Sequence, residues 1–325
     1  MISENNNLNS ESQIIDELQI LFKSSKGRLG IGDDAAVIEH NQLISTDAMV
    51  EGVHFIRGKV TWGEVAYKLF ASNASDIAAM GGYVTGYTLT LSLPEYWTNT
   101  DLKAFIAGVR LFLTDHPADL LGGDTVRSKE FFASVTVFGR TSGRPWLRAN
   151  AKEGDFIYCT GTLGDSKLWL NRELGKASLP LQDPEYFRNR HYKPFPRNNL
   201  VPFLKKFNIT SAMDISDGLI EDLQKLCKAS STNFYIDGDS IPISEQQVGI
   251  ANLLEHKIYY QREALIGGED YELLFTSPES IDETSLMNNT VRITRIGRLL
   301  SAKDHSFILH AGQRLKPNQF KGFQH

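Results

Sequence analysis

Six times along this chain a short apolar run stops at a carboxylate set beside glycine or serine. Asp33 and Asp34 follow Gly30-Ile31-Gly32, and Asp47 follows the run Leu43 to Ser45. Asp76 lies in the small-residue stretch Ala71 to Ala79, and Asp124 follows Gly122-Gly123. Asp214 and Asp217 flank Ile215-Ser216, and Glu269 and Asp270 follow Gly267-Gly268. Taken singly, each acid reads as a cap or a solvated turn. Six of them, spread over both halves of the chain, are expected to converge where the ends of several elements meet. So many carboxylates crowd together only if cations neutralise them. The donors are hard oxygens without soft partners, so magnesium or manganese is expected before zinc.

Periodicity supplies the elements that carry these acids. Ser10 to Lys23 has a helical stripe of Ile14, Ile15, Leu18, Leu21 and Phe22. Short strands are expected at Ala35 to Ile38 and from Leu43, ending at Thr46 and Asp47. Thr61 to Met80 reads as a helix with Thr61 and Glu64 in a capping box and Gly81-Gly82 as its stop. Tyr87 to Leu93 and Phe131 to Phe138 alternate as strands around an amphipathic helix at Leu102 to Leu113. That order suits helices on one face of a mixed sheet. The polar stretch Thr141 to Gly154 is the linker candidate; its Arg144 and Arg148 could clamp phosphate oxygens or simply be solvated. The expected division is a loose tail over 1–12, an N-terminal α+β domain over 13–140, a linker over 141–154 and a C-terminal α/β domain over 155–325. In the second half a strand at Phe156 to Thr160 runs into Gly161-Thr-Leu-Gly164-Asp165-Ser166 and a helix. This turn could cradle an anion on free amides, or Asp165 or Ser166 could be an ordinary N-cap. Ala212 to Asp214, Asn233 to Ile236, Tyr271 to Thr276, Val291 to Ile296 and Phe307 to His310 complete a second sheet, with a helix at Leu219 to Ala229.

Composition excludes several classes. With 325 residues, 41% of them hydrophobic, the chain can bury a large core. A net charge of −5 leaves no basic footprint for nucleic acid. Cys159 and Cys227 form no CxxC pair, which argues against a zinc cage and suits a reducing cytoplasm. The N-terminus lacks the basic and apolar regions of a signal peptide, and no apolar run approaches the ~20 residues that span a bilayer. GxxxxGK[ST], the protein-kinase signatures, GxSxG and HExxH are all missing. Carboxylates with glycine turns still suit a nucleoside triphosphate carried on several metals.

The ordered set GIGDDAAV, STDAMVEGVHF, NASDIAAMGG, LLGGDTVRS, TGTLGDS, AMDISDGLIEDL and LIGGEDYELLFT resembles the bacterial thiamine-monophosphate kinase family. That family belongs to the superfamily of aminoimidazole ribonucleotide synthetase and selenophosphate synthetase. The resemblance runs from about Leu29 to Phe323. It implies a PurM-like fold in which an N-terminal mixed-sheet α+β domain pairs across a homodimer beside a C-terminal α/β domain. The implied reaction is ATP plus thiamine monophosphate giving ADP and thiamine diphosphate, in the cytoplasm, with several Mg2+ ions and no membrane or nucleic-acid partner. The match makes Asp34, Ser45, Thr46, Asp47, Asp76, Asp124, Asp214 and Asp217 metal ligands or their neighbours. Gly123, Asp124, Arg148 and Ser216 would contact ATP, as would Phe105, where relatives can carry tyrosine. His54, Glu269 and Phe323 would contact thiamine monophosphate. No general base is expected, because the acceptor phosphate has a second pKa of about 6 and is itself the nucleophile. The rival readings are an amidine-forming ligase of the same superfamily and a non-catalytic sensor of nucleotide or thiamine phosphate.

Overall fold

A computed structural model describes residues 11–21, 28–176, 183–254, 257–281 and 291–320. The first half comprises α1 (Glu11–Leu21), β1 (Ala36–Val37), β2 (Gln42–Val50), α2 (Trp62–Ala79), β3 (Tyr83–Pro94), α3 (Asn99–Asp115), β4 (Asp119–Ser128) and β5 (Phe132–Arg140). The second half comprises β6 (Phe156–Thr160), α4 (Asp165–Glu173), α5 (Pro184–Tyr192), α6 (Val201–Leu204), β7 (Ser211–Asp214) and α7 (Leu219–Ser230). It continues with β8 (Asn233–Asp237), α8 (Glu245–Leu254), α9 (Lys257–Ile266), β9 (Leu273–Ser277), β10 (Ile293–Leu300), β11 (Phe307–His310) and β12 (Gln313–Leu315).

Two sheets result. The first has the order β1-β2-β5-β3-β4. Its one parallel pair, β3 with β4, is joined by the crossover helix α3 that a parallel connection needs. The second has the order β12-β11-β8-β10-β6-β9-β7, and only β8 and β11 run parallel. The first sheet packs on α2 and α3 through a core that includes Leu43, Phe70, Tyr87, Phe112 and Val135. The second sheet has its own core around Ile157, Leu223, Phe234 and Leu274.

The element between these two bodies is α2. The expected capping box forms: the Glu64 amide donates to Thr61 Oγ1 at 3.2 Å and the Thr61 amide to Glu64 Oε2 at 2.8 Å. Beyond that cap α2 is buried on nearly every side, which a helix tolerates only when packed all round. It lies against β2, β5 and α3 in the first half and against β7 and α5 in the second. Its small residues permit that closeness. Asn198, from the second half, donates its amide to the Ala74 carbonyl at 3.0 Å. A tighter approach holds α3, where a Cβ on Gly108 would fall 2.1 Å from the Gly63 carbonyl oxygen.

Two local differences from the sequence reading matter for the site. β2 does not end at Thr46 and Asp47 but runs on to Val50, so both are mid-strand residues. Alternation along a strand then sends Ser45 and Asp47 to one face and Thr46 to the other. Helices α5, α8 and α9 and strand β12 arise where no element was anticipated.

Gly123 is a backbone requirement of the first sheet. Its φ is +153°, and a Cβ there would stand 1.7 Å from the Leu89 carbonyl oxygen on β3. Gly123→Ala should therefore lose more than about 1 kcal/mol of stability in urea denaturation. An unchanged midpoint would show that β3 and β4 can part freely at that register.

Candidate active site

Three carboxylates from three elements meet at the seam. Asp34 precedes β1, Asp76 sits in the last turns of α2, and Asp214 ends β7. One oxygen of each lies within 4.8 Å of the others. Ser45 on β2 joins them, donating to Asp76 Oδ2 at 2.6 Å, and its Oγ is 3.0 Å from the Asp34 carbonyl. Asp47, two residues on and on the same face, is close enough to act on Asp76 and Asp214. Its amide donates to Asn73 Oδ1 at 3.0 Å, and Asn73 Nδ2 donates to the Leu69 carbonyl, so α2 fixes the strand that carries Asp47.

These acids repel one another. Burial, then Asp47, Asp214 and Asp34, pushes the Asp76 carboxyl well above its usual range, and the Ser45 bond offsets this only in part. Burial, then Asp34, does the same to Asp214. Asp214 is 2% exposed, and its Oδ2 has no hydrogen-bond partner. A buried carboxylate oxygen without a partner, facing two more carboxylates, is what a hard cation would satisfy. The donor set therefore fits magnesium, with Asp34, Asp76 and Asp214 as the residues to hold it.

Arg148 answers part of the charge. Its Nη2 donates to Asp34 Oδ1 at 2.6 Å, and its amide donates to Asp33 Oδ1 at 2.7 Å. The loop after β7 is shaped from within: Asp222 Oδ2 accepts the amides of Ser216, Asp217 and Gly218 at 3.0, 3.0 and 3.1 Å. Lys225 bonds both Asp222 and Asp217. Asp217 is thereby paired with a lysine and stands outside the group of three.

A cavity of about 590 Å³ opens beside the acids. It is lined by Asp47, Asp76, Asp214, Ser216 and Asp217, and also by His54, His191, Tyr192, Glu269 and Tyr271. His54 Nδ1 accepts the Val50 amide at 3.0 Å, which places the proton of the neutral ring on Nε2. Glu269 sits at φ +61° with its amide donated to the Ser216 carbonyl at 2.7 Å. Burial alone would raise its carboxyl, but Lys68 holds it down to about 2. Burial, then Glu269 and Asp47, keeps the Tyr271 phenol protonated.

Other expected residues fall elsewhere. The Thr46 hydroxyl is turned to β5, donating to the Val135 carbonyl at 3.0 Å, so its side chain does not join the acids. Gly123 and Asp124 lie on β4, the exposed edge of the first sheet, and Asp124 accepts the Thr125 amide. Phe105 leaves the candidate set: it is 1% exposed and packs on Trp97 and Phe131 in the first core. Phe323 lies outside the described residues. In the turn before α4 the Gly164 amide is already taken, donating to buried Asp270 at 2.7 Å. Sequence reasoning missed Asn73, Lys68, His191, Tyr192 and Tyr271. Asn73 and Tyr271 lie within the quoted motifs NASDIAAMGG and LIGGEDYELLFT, whereas nothing in the polar run of α5 marks His191.

Comparison with known proteins gives a consistent result. The family model for the AIR synthase related protein, N-terminal domain, matches residues 32–141. A thiamine-monophosphate kinase of Buchnera aphidicola (subspecies Schizaphis graminum) is 37% identical over 315 residues, covering 93% of this chain and 94% of the relative. That of Bacillus subtilis is 32% identical over 310 residues, covering 91% and 93%. Among solved structures, AaThiL complexed with AMPPCP and TMP superposes with a TM-score of 0.84 at 29% identity, covering 98% of this chain and 99% of that one. Escherichia coli HypE, a hydrogenase maturation protein, shares the fold at a TM-score of 0.67 and 16% identity, covering 94% and 96%.

The repulsion at Asp214 has a sign that can be measured. Its carboxyl is raised above the unfolded value of 3.8, so ionising it costs folding stability, and the cost grows as pH rises from about 4. In chelator at pH 8, Asp214→Asn should melt about 2–4 °C above wild type. Added magnesium should raise the melting point of wild type and leave that of the variant in place. A variant that melts at or below wild type would mean that this carboxylate carries no such cost.

Proposed function

The chain belongs to the thiamine-monophosphate kinase family, and we propose that its seam site transfers the γ-phosphoryl group of ATP to the phosphate of thiamine monophosphate, giving thiamine diphosphate. The observation that carries this reading is the meeting of Asp34, Asp76 and Asp214 beside a cavity with a separately held carboxylate, Glu269. The relative solved with AMPPCP, an analogue of ATP, and TMP supports the same pair of substrates.

The chemistry asks little of a general base. The acceptor phosphate is largely ionised at neutral pH and is its own nucleophile. The difficulty is that two anions must meet, so positioning and charge neutralisation dominate. Magnesium held by Asp34, Asp76 and Asp214, with Asp47 nearby, would supply neutralisation of the phosphate oxygens. Arg148 is engaged by Asp34; once Asp34 is neutralised otherwise, its planar fork is free to turn to an ATP phosphate. Ser216 stands at the cavity wall on a loop that Asp222 holds rigid, where it can contact nucleotide. His54 offers Nε2–H to the acceptor phosphate, and Glu269 offers a carboxylate to the cationic thiazolium. Phe323 would add a stacking face to that ring.

We further infer a homodimer formed through the first sheet. β4 is an edge strand exposed along almost its whole length, with Leu120, Leu121 and Val126 among its open side chains. A long apolar edge of this kind is a pairing surface unless something covers it. A second copy there would also give Gly123 and Asp124 new neighbours. A cytoplasmic setting agrees with two buried, free cysteines.

Incubation with ATP, magnesium and thiamine monophosphate should yield thiamine diphosphate and ADP in equal amounts. Asp47→Asn should reduce turnover by at least about 10³-fold while the far-ultraviolet spectrum stays unchanged. Wild-type-like turnover in that variant would remove Asp47 from the site. Leu121→Glu should shift the mass measured by light scattering from two chains to one; a wild-type monomer would refute the dimer directly.

A further inference from the structure

Lys68 is a lysine in an unusual position. It projects from the middle of α2 and is 2% exposed. Lysine is almost never buried unless paired, and here the pairing is specific. Its ammonium lies 2.7 Å from Glu269 Oε1 and 3.2 Å from His191 Nε2, with the Tyr192 ring centroid 5.6 Å away. An ammonium only donates, so His191 Nε2 must accept and the ring proton sits on Nδ1. Nδ1 is 2.8 Å from Ser166 Oγ and 3.6 Å from Glu269 Oε2. Burial, with Lys68 beside it, brings His191 down to about 3, so the imidazole is neutral. The cluster is therefore one cation, one anion and one neutral ring that orients the cation.

Glu269 is the member that meets solvent. Its side chain is 31% exposed and lines the cavity, while Lys68 does not reach it. Its backbone is already held, in a left-handed conformation, by the bond to the Ser216 carbonyl. What remains free is the side chain, and Lys68 takes one of its two oxygens from behind. Lys68, Ser72 and Asp76 also stand on one stripe of α2 at four-residue spacing. Lys68 is thus about 12 Å along the helix axis from the acid that joins the metal-binding group.

We propose that Lys68 is a positioning residue for the acceptor substrate: it holds Glu269 as an ionised carboxylate in one rotamer, aimed into the cavity, at a distance from the metal-binding acids that α2 sets. This rests on the reading that Glu269 receives the cationic ring of thiamine monophosphate. Lys68 touches neither substrate. Its effect reaches only the acceptor, because ATP has no cationic ring for Glu269 to meet.

The test is steady-state kinetics on full-length protein, with thermal melting as the control for folding. Lys68→Met should raise KM for thiamine monophosphate at least tenfold, while KM for ATP and kcat stay within about threefold. Lys68→Gln, which keeps a hydrogen bond to Glu269 but no charge, should show the same selective loss and serves if the methionine variant does not fold. Lys68→Arg should recover much of the affinity. Glu269→Gln should raise the same KM, and Lys68→Met added to it should cost no more. Equal losses for both substrates with a lowered melting point would make Lys68 merely structural. Additive losses in the double variant would also overturn the proposal. A wild-type protein that forms thiamine diphosphate with normal KM in Lys68→Met defeats the Lys68 role alone. A wild-type protein that neither binds nor phosphorylates thiamine monophosphate defeats the functional reading, and the Lys68 role with it.

Discussion

The structure depends on a repulsion that it does not relieve by itself. Asp34, Asp76 and Asp214 are brought together by elements that have no choice in the matter. Asp214 ends a strand buried in the second sheet, and Asp76 is on a helix packed on nearly every side. Asp34 lies where the chain enters the first sheet. Packing on both sides of the seam supplies the free energy that holds the acids close, and the acids return a cost in unsatisfied charge. A site of this kind is preorganised for a cation: its ligands need not be gathered when the cation arrives.

Helix α2 makes the two halves one device. Its capping box fixes where it starts, and Arg188 from α5 grips the same Glu64 that closes the box, at 2.7 Å with each of two nitrogens. Farther along, Lys68 meets the second half at Glu269, Asn198 meets it at Ala74, and Asp76 meets it at Asp214. These contacts recur about every turn or two on a rigid rod. Any rotation of one half against the other would break an ion pair at one end and separate acids at the other. Small residues at Ala71, Ala74 and Ala78 follow from the same demand, since a rod packed all round has no room for bulk.

Much of this was legible in the sequence. The capping box at Thr61 and Glu64, the stop at Gly81-Gly82 and Asp214 at the end of its strand depend on local chemistry and appear as read. The misreadings came from distance. Thr46 looked equivalent to Asp47 until β2 proved longer, and strand alternation then turned its hydroxyl to β5. The turn before α4 left a phosphate cradle and an ordinary cap both open, and Asp270, more than a hundred residues on, takes its Gly164 amide. Phe105 is drawn in only by the resemblance, where relatives can carry tyrosine, and its amphipathic helix turns it into the core. Helix α5 reads as a polar run, yet it buries Phe187, His191 and Tyr192 because it lies over the seam. Lys68 is the sharpest case: within an apolar helical stretch a lone lysine suggests the solvent side, and only the fold reveals its partner.

Two cations divide the work at the seam, and their difference in chemistry suits their difference in place. Arg148 meets Asp34 through a planar fork, keeps its charge at any working pH, and remains 19% exposed. Its bond competes with whatever neutralises Asp34, so the pair can exchange: a phosphate can inherit the arginine when the acid has another partner. Lys68 has no such exchange open to it. It is a point charge sealed behind Glu269, with a neutral imidazole filling its second direction. One cation is placed where a ligand can recruit it, and the other where no ligand can remove it. Under the proposed function, that asymmetry would keep a single crowded pocket permissive where the acids gather and fixed where the acceptor would be received.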